Sequence, residues 1–374
     1  MRVFVSSLMG AHFTSLREAA AKGIGALGFE SVMAEDYTVS PSSPEAACLE
    51  GVRSSDAVVL VLGSEYGDCQ ASELSATHQE YREAREESIP VLAFIEEGAE
   101  PTEDQAVFIR EVRDWAQGQY TESFSNPDDL QAKVTRGLHR HSINEARAPV
   151  DGEEVVGRAR ALIPEHTHTG QAQLFVGVAG GPARQVLRPS ELEAEELRSF
   201  LLREALTGPV PVLDLSSGTD SLIRGDALVV SQRDSGTGVS LSETGSIVVI
   251  QPAVDYGGLP TGIPSVIEDE LAGRIERGLR FSGLVLDHVD PQERISRVGV
   301  VAAVLGAGYL PWRTREEQSQ NPHTATMSSF GQDRVQAEPA PPTCLRAALL
   351  RDAQRLSEDL AVRLRRQATE GPYR

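Results

Sequence analysis

The segment that most constrains the fold is a run of six apolar residues, from Ala57 to Leu62, that ends at Gly63. The run is rich in β-branched side chains, which predicts a strand buried on both faces of a parallel sheet. A polar loop follows, and a helical pattern then begins that carries Glu80 in its first turn. Loops at the carboxyl ends of strands form the ligand crevice of doubly wound folds. The carboxyl group of Glu80 is therefore the first candidate for chemistry.

Four more units of strand and helix accompany this one within residues 1–141. Each strand is followed by apolar residues at helical spacing, and the strands are predicted at 2–7, 31–36, 56–62, 89–95 and 120–124. Five such units predict an α/β domain, a five-stranded parallel sheet with right-handed crossovers. We expect the flavodoxin-like strand order 2-1-3-4-5. In that order the crevice opens between the ends of the first and third strands.

Polar side chains and glycines gather at this switch point. Serine hydroxyls and backbone N–H groups suit ribose or phosphate, the rings of Phe4 and Tyr66 suit a base, and Asp36 suits the ribose hydroxyls. The predicted substrate-binding residues are Phe4, Ser6, Ser7, Asp36, Gly63, Ser64, Tyr66, Gly67 and Thr77. Neither a Walker pattern nor GxGxxG follows the first strand, so no phosphate-binding loop of those types is predicted.

Each of these residues also has a structural interpretation. Serine at a strand end and aspartate in a loop commonly bond to the nearby backbone. The stretch Thr77-His78-Gln79-Glu80 matches a capping box, in which Glu80 would only bond back to the N–H of Thr77. Replacement of Glu80 by Gln would keep most of a cap but remove the charge that catalysis needs, so it separates the two roles.

Composition excludes several classes of function. The formal net charge of −20 argues against a general nucleic-acid surface, which needs a basic face. No apolar run approaches the roughly 18 to 20 residues of a membrane span, and the first residues lack the pattern of a signal peptide. We therefore expect a cytoplasmic protein with no membrane partner. The three cysteines show no metal spacing, so no metal site, zinc site or disulfide framework is predicted.

The second half predicts a smaller α+β domain at residues 171–312, between a linker at 142–170 and a polar linker at 313–343. A C-terminal helix is predicted within 344–374, with docking on the body as the expected role of its apolar stripe. Strands are expected at 174–179, 210–215, 227–232, 238–241, 246–251, 284–289 and 298–305, spaced as in an antiparallel meander. Gly180-Gly181 could approach an anion, but a β-turn is the expected structure. Asp287, His288 and Asp290 form an acid–imidazole cluster in the sequence. It is not predicted to be a site, because neighbours on a strand point to opposite faces.

Five segments of the first half, in this order and spacing, carry a family resemblance. They read RVFVSSL, VMAED, SPEAACLEGVRSSDAVVLVLGSEYG, LSATHQEYREA and IPVLAFIEEG. They resemble a bacterial TIR-like family described as a domain of unknown function, which often sits ahead of NACHT or repeat modules. The layout is similar to that of TIR domains and nucleoside deoxyribosyltransferases. In that wider group a glutamate on the helix after the third strand attacks or stabilises the anomeric carbon, and Glu80 matches it.

The resemblance implies a nucleotide-handling domain that hydrolyses the N-glycosidic bond of NAD or a related nucleotide in a bacterial defence or signalling protein. Such cleavage builds an oxocarbenium-like centre that a carboxylate can trap or stabilise. The nucleotide would be the substrate, no resident cofactor is expected, and the second domain would regulate the first. The alternative is a non-catalytic module that binds a bare nucleotide, a protein partner or further copies of the chain.

Overall fold

The structure is a computed structural model of the 374-residue chain. It describes every residue except 35–43, 70–73, 88, 99, 117–120, 148–150, 168–169, 234–235, 255–261, 324–331 and 370–374. Packing divides the chain into two compact units, Met1–Pro149 and Val150–Arg374. Each unit is built around a β-sheet of its own.

In its described residues, the first unit alternates five strands and five helices. They are β1 (Arg2–Ser6), α1 (Ala11–Gly25), β2 (Glu30–Val32), α2 (Pro44–Arg53), β3 (Ala57–Leu62), α3 (Ala76–Glu86), β4 (Val91–Glu96), α4 (Glu103–Ala116), β5 (Thr121–Phe124) and α5 (Pro127–Arg147). The strand order is β2-β1-β3-β4-β5 and every neighbouring pair is parallel. The predicted α/β class and flavodoxin-like order are confirmed.

Apolar layers cover both faces of this sheet, and the alternation of side chains along β1 assigns each residue to a face. Val3 and Val5 pack with the apolar residues of α1 and α5, whereas Phe4 packs with those of α2 and α3 on the opposite face. Ser6 has the same parity as Phe4, so it faces α3. All six residues of β3 are buried, as a strand covered on both faces requires.

The second unit was predicted as the smaller domain but is the larger one, because the flanking segments pack into it. It contains an antiparallel sheet of eight strands. Its elements are α6 (Gly152–Ala161), β6 (Gln173–Gly181), α7 (Pro189–Leu192), α8 (Glu195–Thr207), β7 (Thr219–Arg224), β8 (Ala227–Gln232), β9 (Gly238–Ser242), β10 (Ile247–Pro252), β11 (Val266–Ile267), α9 (Glu268–Val289), β12 (Arg297–Leu305), β13 (Trp312–Arg313), α10 (Arg315–Gln320), β14 (Arg334–Ala337), β15 (Thr343–Leu345), α11 (Ala348–Arg351) and α12 (Ala353–Thr369). The sheet order is β14-β12-β6-β10-β9-β8-β7, and β15 also pairs with β12.

Segments that were predicted as linkers or as a separate helix belong to this second unit. Helix α6, within the predicted linker 142–170, packs on β6 and β12. Strand β14, within the predicted linker 313–343, pairs with β12, and α12 docks on α9 as expected. The polar sequence of residues 313–343 suggested a linker because an edge strand needs few apolar residues.

Three local predictions in the second unit are wrong. Residues 210–215 form no strand, because the N–H groups of Val212 and Leu213 donate to the carbonyl of Ala205 instead of a ladder. Residues 284–289 are the last turns of α9, whose apolar stripe continues beyond Leu279. Gly180 and Gly181 lie inside β6 rather than in a turn, because they pair with Val298 and Arg297 of β12; the side chain of Ile295 leaves no room for a Cβ at Gly180.

Candidate functional site

The side chains of Ser6 and Glu80 meet at the switch point between β1 and β3. The Ser6 hydroxyl donates a hydrogen bond of 2.6 Å to Oε2 of Glu80. Ser6 is completely buried and Glu80 is only 6% exposed. A carboxyl group thus reaches from α3 across to the end of β1, where ligands bind in this class of fold.

The environment of Glu80 favours its protonated form. Burial raises the pKa of Glu80 to about 7, while the hydrogen bond from Ser6 and the charge of Arg17 limit the rise. The carboxyl group therefore changes its charge near neutral pH. A carboxyl group tuned in this way is common in active sites.

Arg17 is a member of this site that the sequence analysis missed. It comes from α1, is 5% exposed, and donates from Nη1 to the carbonyl of Ser7 at 3.4 Å. The signal was present, since Arg17 follows Phe13 by four positions and precedes Ala20 by three on the buried face of α1. A cation in such an apolar stripe indicates a buried anion nearby.

The start of α3 rules out the capping-box interpretation of Glu80. The N-cap is Ser75, whose hydroxyl accepts from the N–H of His78 at 3.3 Å. Thr77 lies inside the first turn, is buried, and does not occupy the cap position. The side chain of Glu80 turns to Ser6 instead of its own helix end.

The two glycines of the β3 loop are covered by side chains. A Cβ on Gly63 would lie 2.9 Å from Cζ of Phe13, and a Cβ on Gly67 would lie 2.4 Å from Cδ2 of Leu8. Gly67 also has a φ of +84°, which favours glycine. Both residues therefore allow close packing of the loop in this conformation.

The amino end of α4 holds the same loop in place. The side-chain amide of Gln105 donates to the carbonyl of Gly63 at 2.8 Å, and the N–H of Thr102 donates to the carbonyl of Ser64 at 2.9 Å. These two hydrogen bonds satisfy the backbone carbonyl groups of Gly63 and Ser64, which follow β3. They therefore fix the position of the loop.

A second polar network lies on another face of α3. His78 bonds through Nδ1 to the hydroxyl of Tyr66 at 2.7 Å and through Nε2 to Oε2 of Glu111 at 3.0 Å. Its ring stacks on Phe108 at a centroid distance of 4.1 Å. His78 has no evident polar partner nearby in the sequence, yet it is only 4% exposed and both of its ring nitrogens are bonded. Glu111 was missed, because its partners come from a different helix.

The carboxyl group of Glu111 is the ionised member of this network. Burial acts to raise the pKa of Glu111, but hydrogen bonds from His78 and Arg82 outweigh it and lower the pKa to about 2. An ionised carboxylate only accepts, so Nε2 of His78 carries a hydrogen.

The other predicted residues fall into three groups. Phe4 is completely buried in the core and offers no surface to a base. Tyr66 and Thr77 line a narrow cleft, together with Leu8, Val61, Leu62, Gly63, Glu65, Gln105 and Phe108. Its walls stand too close for a water molecule to enter, so a nucleotide would have to displace them. Asp36 lies outside the described residues.

Metal and membrane signals are both missing from the described residues. No cluster of three or more His, Cys, Asp or Glu side chains there could hold a metal ion. In the same part of the chain, no helix combines the length and the apolar character needed to cross a membrane.

With the site described, the chain can be compared with known proteins. A family described as a domain of unknown function, DUF4062, matches residues 2–139. No curated protein matches the sequence. Among solved structures, a conserved protein from Enterococcus faecalis V583 is similar at 12% identity, over 36% of this chain and 98% of that chain, with a TM-score of 0.24.

Proposed function

We propose that the first unit binds a nucleotide and hydrolyses its N-glycosidic bond, with Glu80 as the catalytic carboxyl group. The observation that carries the proposal is the buried contact of Glu80 with Ser6 at the switch point of the sheet. The resemblance to TIR-like domains points to NAD or a related nucleotide as the substrate. The second unit would then regulate the first in a bacterial defence or signalling protein.

The proposed chemistry uses the ionised form of Glu80. As the bond between base and ribose breaks, positive charge builds on the sugar, and a carboxylate beside it traps or stabilises that centre. Water then completes the hydrolysis. Ser6 orients the carboxylate, and Arg17 keeps part of it ionised at neutral pH by opposing the effect of burial. The rate of base release should therefore rise with pH through about 7.

The closed cleft favours a second candidate, a non-catalytic module that binds a bare nucleotide or a protein. Glu80 is almost fully buried, and the cleft beside Tyr66 and Thr77 has no room for a ligand as it stands. A catalytic domain must open these walls when substrate binds, whereas a scaffold keeps them packed.

Base release from NAD and from a panel of nucleosides and nucleotides separates the two candidates. The full-length protein and its Glu80→Gln variant are compared by chromatography, with Glu86→Gln as the control because Glu86 is exposed on the same helix. We expect Glu80→Gln to lower release at least about a hundred-fold and the control to leave it unchanged. Saturable binding without release, in dilute and concentrated protein alike, would favour the scaffold.

A further variant tests the role of Ser6. Removal of its hydroxyl in Ser6→Ala takes away a bond that lowers the pKa of Glu80, so the pH–rate profile should move to higher pH. An unchanged profile would show that the titration of Glu80 does not control the rate.

A further inference from the structure

The sheet of the second unit has an uncovered edge at β7. Strand β7 pairs with β8 from Thr219↔Gln232 to Arg224↔Ala227. Its other side faces no strand in the part of the chain that the structure describes. Such an edge presents a row of N–H and C=O groups that can pair with another chain.

The hairpin turn fixes which backbone groups point outward. Arg224 and Ala227 flank a two-residue turn, so they form a hydrogen-bonded pair. Bonded and non-bonded pairs alternate along an antiparallel ladder, and every second residue before Arg224 therefore also bonds to β8. The backbone groups of Thr219, Ser221 and Ile223 are left facing the free edge.

The side chains of the other three residues form a pattern that is complementary to itself. Asp220, Leu222 and Arg224 share one face of the strand, and all three are exposed, Leu222 to 40%. The acidic and basic residues stand two positions before and after Leu222. A two-fold axis through Leu222 thus places each charge opposite its counterpart in a second copy.

We propose that β7 pairs with β7 of a second copy of this chain, antiparallel and with Leu222 opposite Leu222. Asp220 of each copy then faces Arg224 of the other, and the outward backbone groups of Ser221 and Ile223 exchange hydrogen bonds. The eight-stranded sheet continues across the two-fold axis into that of the second copy. The interface is isologous, as in most homodimers.

The charges select this register over its neighbours. Only registers centred on Ser221, Leu222 or Ile223 align the outward groups of both strands and pair most of β7. Centring on Ser221 places Asp220 opposite Leu222, and centring on Ile223 places it opposite Asp226. The first loses the ion pairs, and the second sets two like charges against each other, which destabilises a cross-strand pair.

The edge is not protected in the usual way. Natural edge strands carry charges that repel a second copy, or a proline or bulge that prevents pairing. Here the two charges differ in sign and are placed symmetrically, so they attract a second copy. Asp220 also bonds to Nε of Arg233 at 2.5 Å, and its carboxylate keeps lone pairs for a second cation.

The size of the contact sets the expected affinity. Two six-residue edges bury less than the roughly 1,200 Å² that stable interfaces reach. The dimer should therefore dissociate on dilution, with a Kd in the micromolar range of about 1–100 µM. This prediction does not depend on the proposed function, since it concerns only the second unit.

Sedimentation velocity of the full-length protein over a concentration series tests the proposal. We expect a shift from monomer to dimer as concentration rises. Asp220→Arg and Arg224→Asp each put like charges opposite one another twice, so each should weaken dimerisation about ten-fold or more. Leu215→Lys is the control, because Leu215 is 69% exposed but lies outside β7.

Exchange of the charges at Asp220 and Arg224 provides the decisive test. The double variant Asp220→Arg/Arg224→Asp restores opposite charges across the axis and should recover dimerisation. A mixture of the two single variants should form a heterodimer, although neither variant dimerises well alone. Arg233→Gln removes the intrachain bond of Asp220 alone, so it shows whether loss of that bond changes dimerisation. A wild-type protein that stays monomeric at several hundred micromolar, or a dimer that ignores both single variants, overturns the proposal.

Discussion

The hydroxyl of Ser6 donates a hydrogen bond of 2.6 Å to the carboxyl group of Glu80, although 74 residues separate them in the sequence. The bond joins the end of β1 to the second turn of α3. It sits where the strand order reverses, which is the place where doubly wound folds bind their ligands. The carboxyl group that carries the proposed chemistry is thus positioned by a serine at the end of a different strand.

The raised pKa of Glu80 makes the first unit less stable at neutral pH than in mild acid. The unfolded chain protonates this group near 4.5 and the folded chain near 7. Between these values the folded state binds more protons, so stability falls as pH rises and the full loss, about 3 kcal/mol, is reached above 7. Glu80→Gln removes this pH dependence. Its free energy of unfolding, relative to that of the wild type, should therefore increase from pH 5 to pH 8.

Urea unfolding measures this difference. In a Trp312→Phe background the remaining tryptophan of the sequence is Trp115, which belongs to the first unit. Glu86→Gln is the matched control, since an exposed carboxylate on the same helix should show no such trend. A gain for Glu80→Gln that stays constant between pH 5 and pH 8 would contradict the raised pKa.

Glu111 should have the opposite pH dependence. Its pKa is about 2 in the folded protein, against an ordinary value of 4.5. Its contribution is present above about 4.5 and is lost as pH falls through 2. Solvent screens this partly exposed group, so Glu111→Gln should cost about 1–2 kcal/mol at pH 7. The same unfolding assay should show the cost shrinking at pH 3, whereas Glu103→Gln, at the exposed start of α4, should cost little at either pH.

An alanine in place of Gly67 would have both an unfavourable φ and a close contact. A matched glycine, Gly98, separates the two effects. Gly98 has a φ of +82° with nothing near its Cβ position, whereas the Cβ position of Gly67 lies 2.4 Å from Leu8. Gly98→Ala should cost about 1 kcal/mol through strain alone. Gly67→Ala should cost more, and in a Leu8→Ala background its cost should fall to that of Gly98→Ala. Equal costs for both glycines in the wild-type background would show that Leu8 moves freely aside.

Asp290 should be among the most sensitive positions of the second unit. It is completely buried and accepts bonds from Arg346, Arg294 and the N–H of Ile295. Asp290→Ala leaves Arg346 buried beside a weaker partner and should cost about 3–5 kcal/mol. Asp287→Ala, which removes one bond from a partly exposed carboxylate, should cost far less. Unfolding followed through Trp312 in a Trp115→Phe background compares the two.

The predicted cluster of Asp287, His288 and Asp290 shows how a wrong element misplaces side chains. Asp287 and His288 were predicted in a strand with Asp290 just after it, but they lie in the last turn of α9 and Asp290 is its C-cap. Both aspartates bond to Arg346, while His288 stacks on Phe200 at 3.6 Å. The apolar residues just before this cluster show neither a helical nor a strand period by themselves. Only the helical stripe that starts at Leu271 identifies them as part of a helix.

The sequence by itself determined the type and order of the elements in the first 141 residues and the position of Glu80 behind β3. Apolar periodicity and turn residues are local signals, and neighbours along the chain suffice to interpret them. Tertiary structure alone decided that Glu80 bonds to Ser6 within the influence of the charge of Arg17, that His78 meets Glu111, and that the polar stretch at 313–343 contributes a strand. Those contacts join distant residues, and packing of the elements sets them. Burial, and with it the charge of Glu80, follows from the same packing.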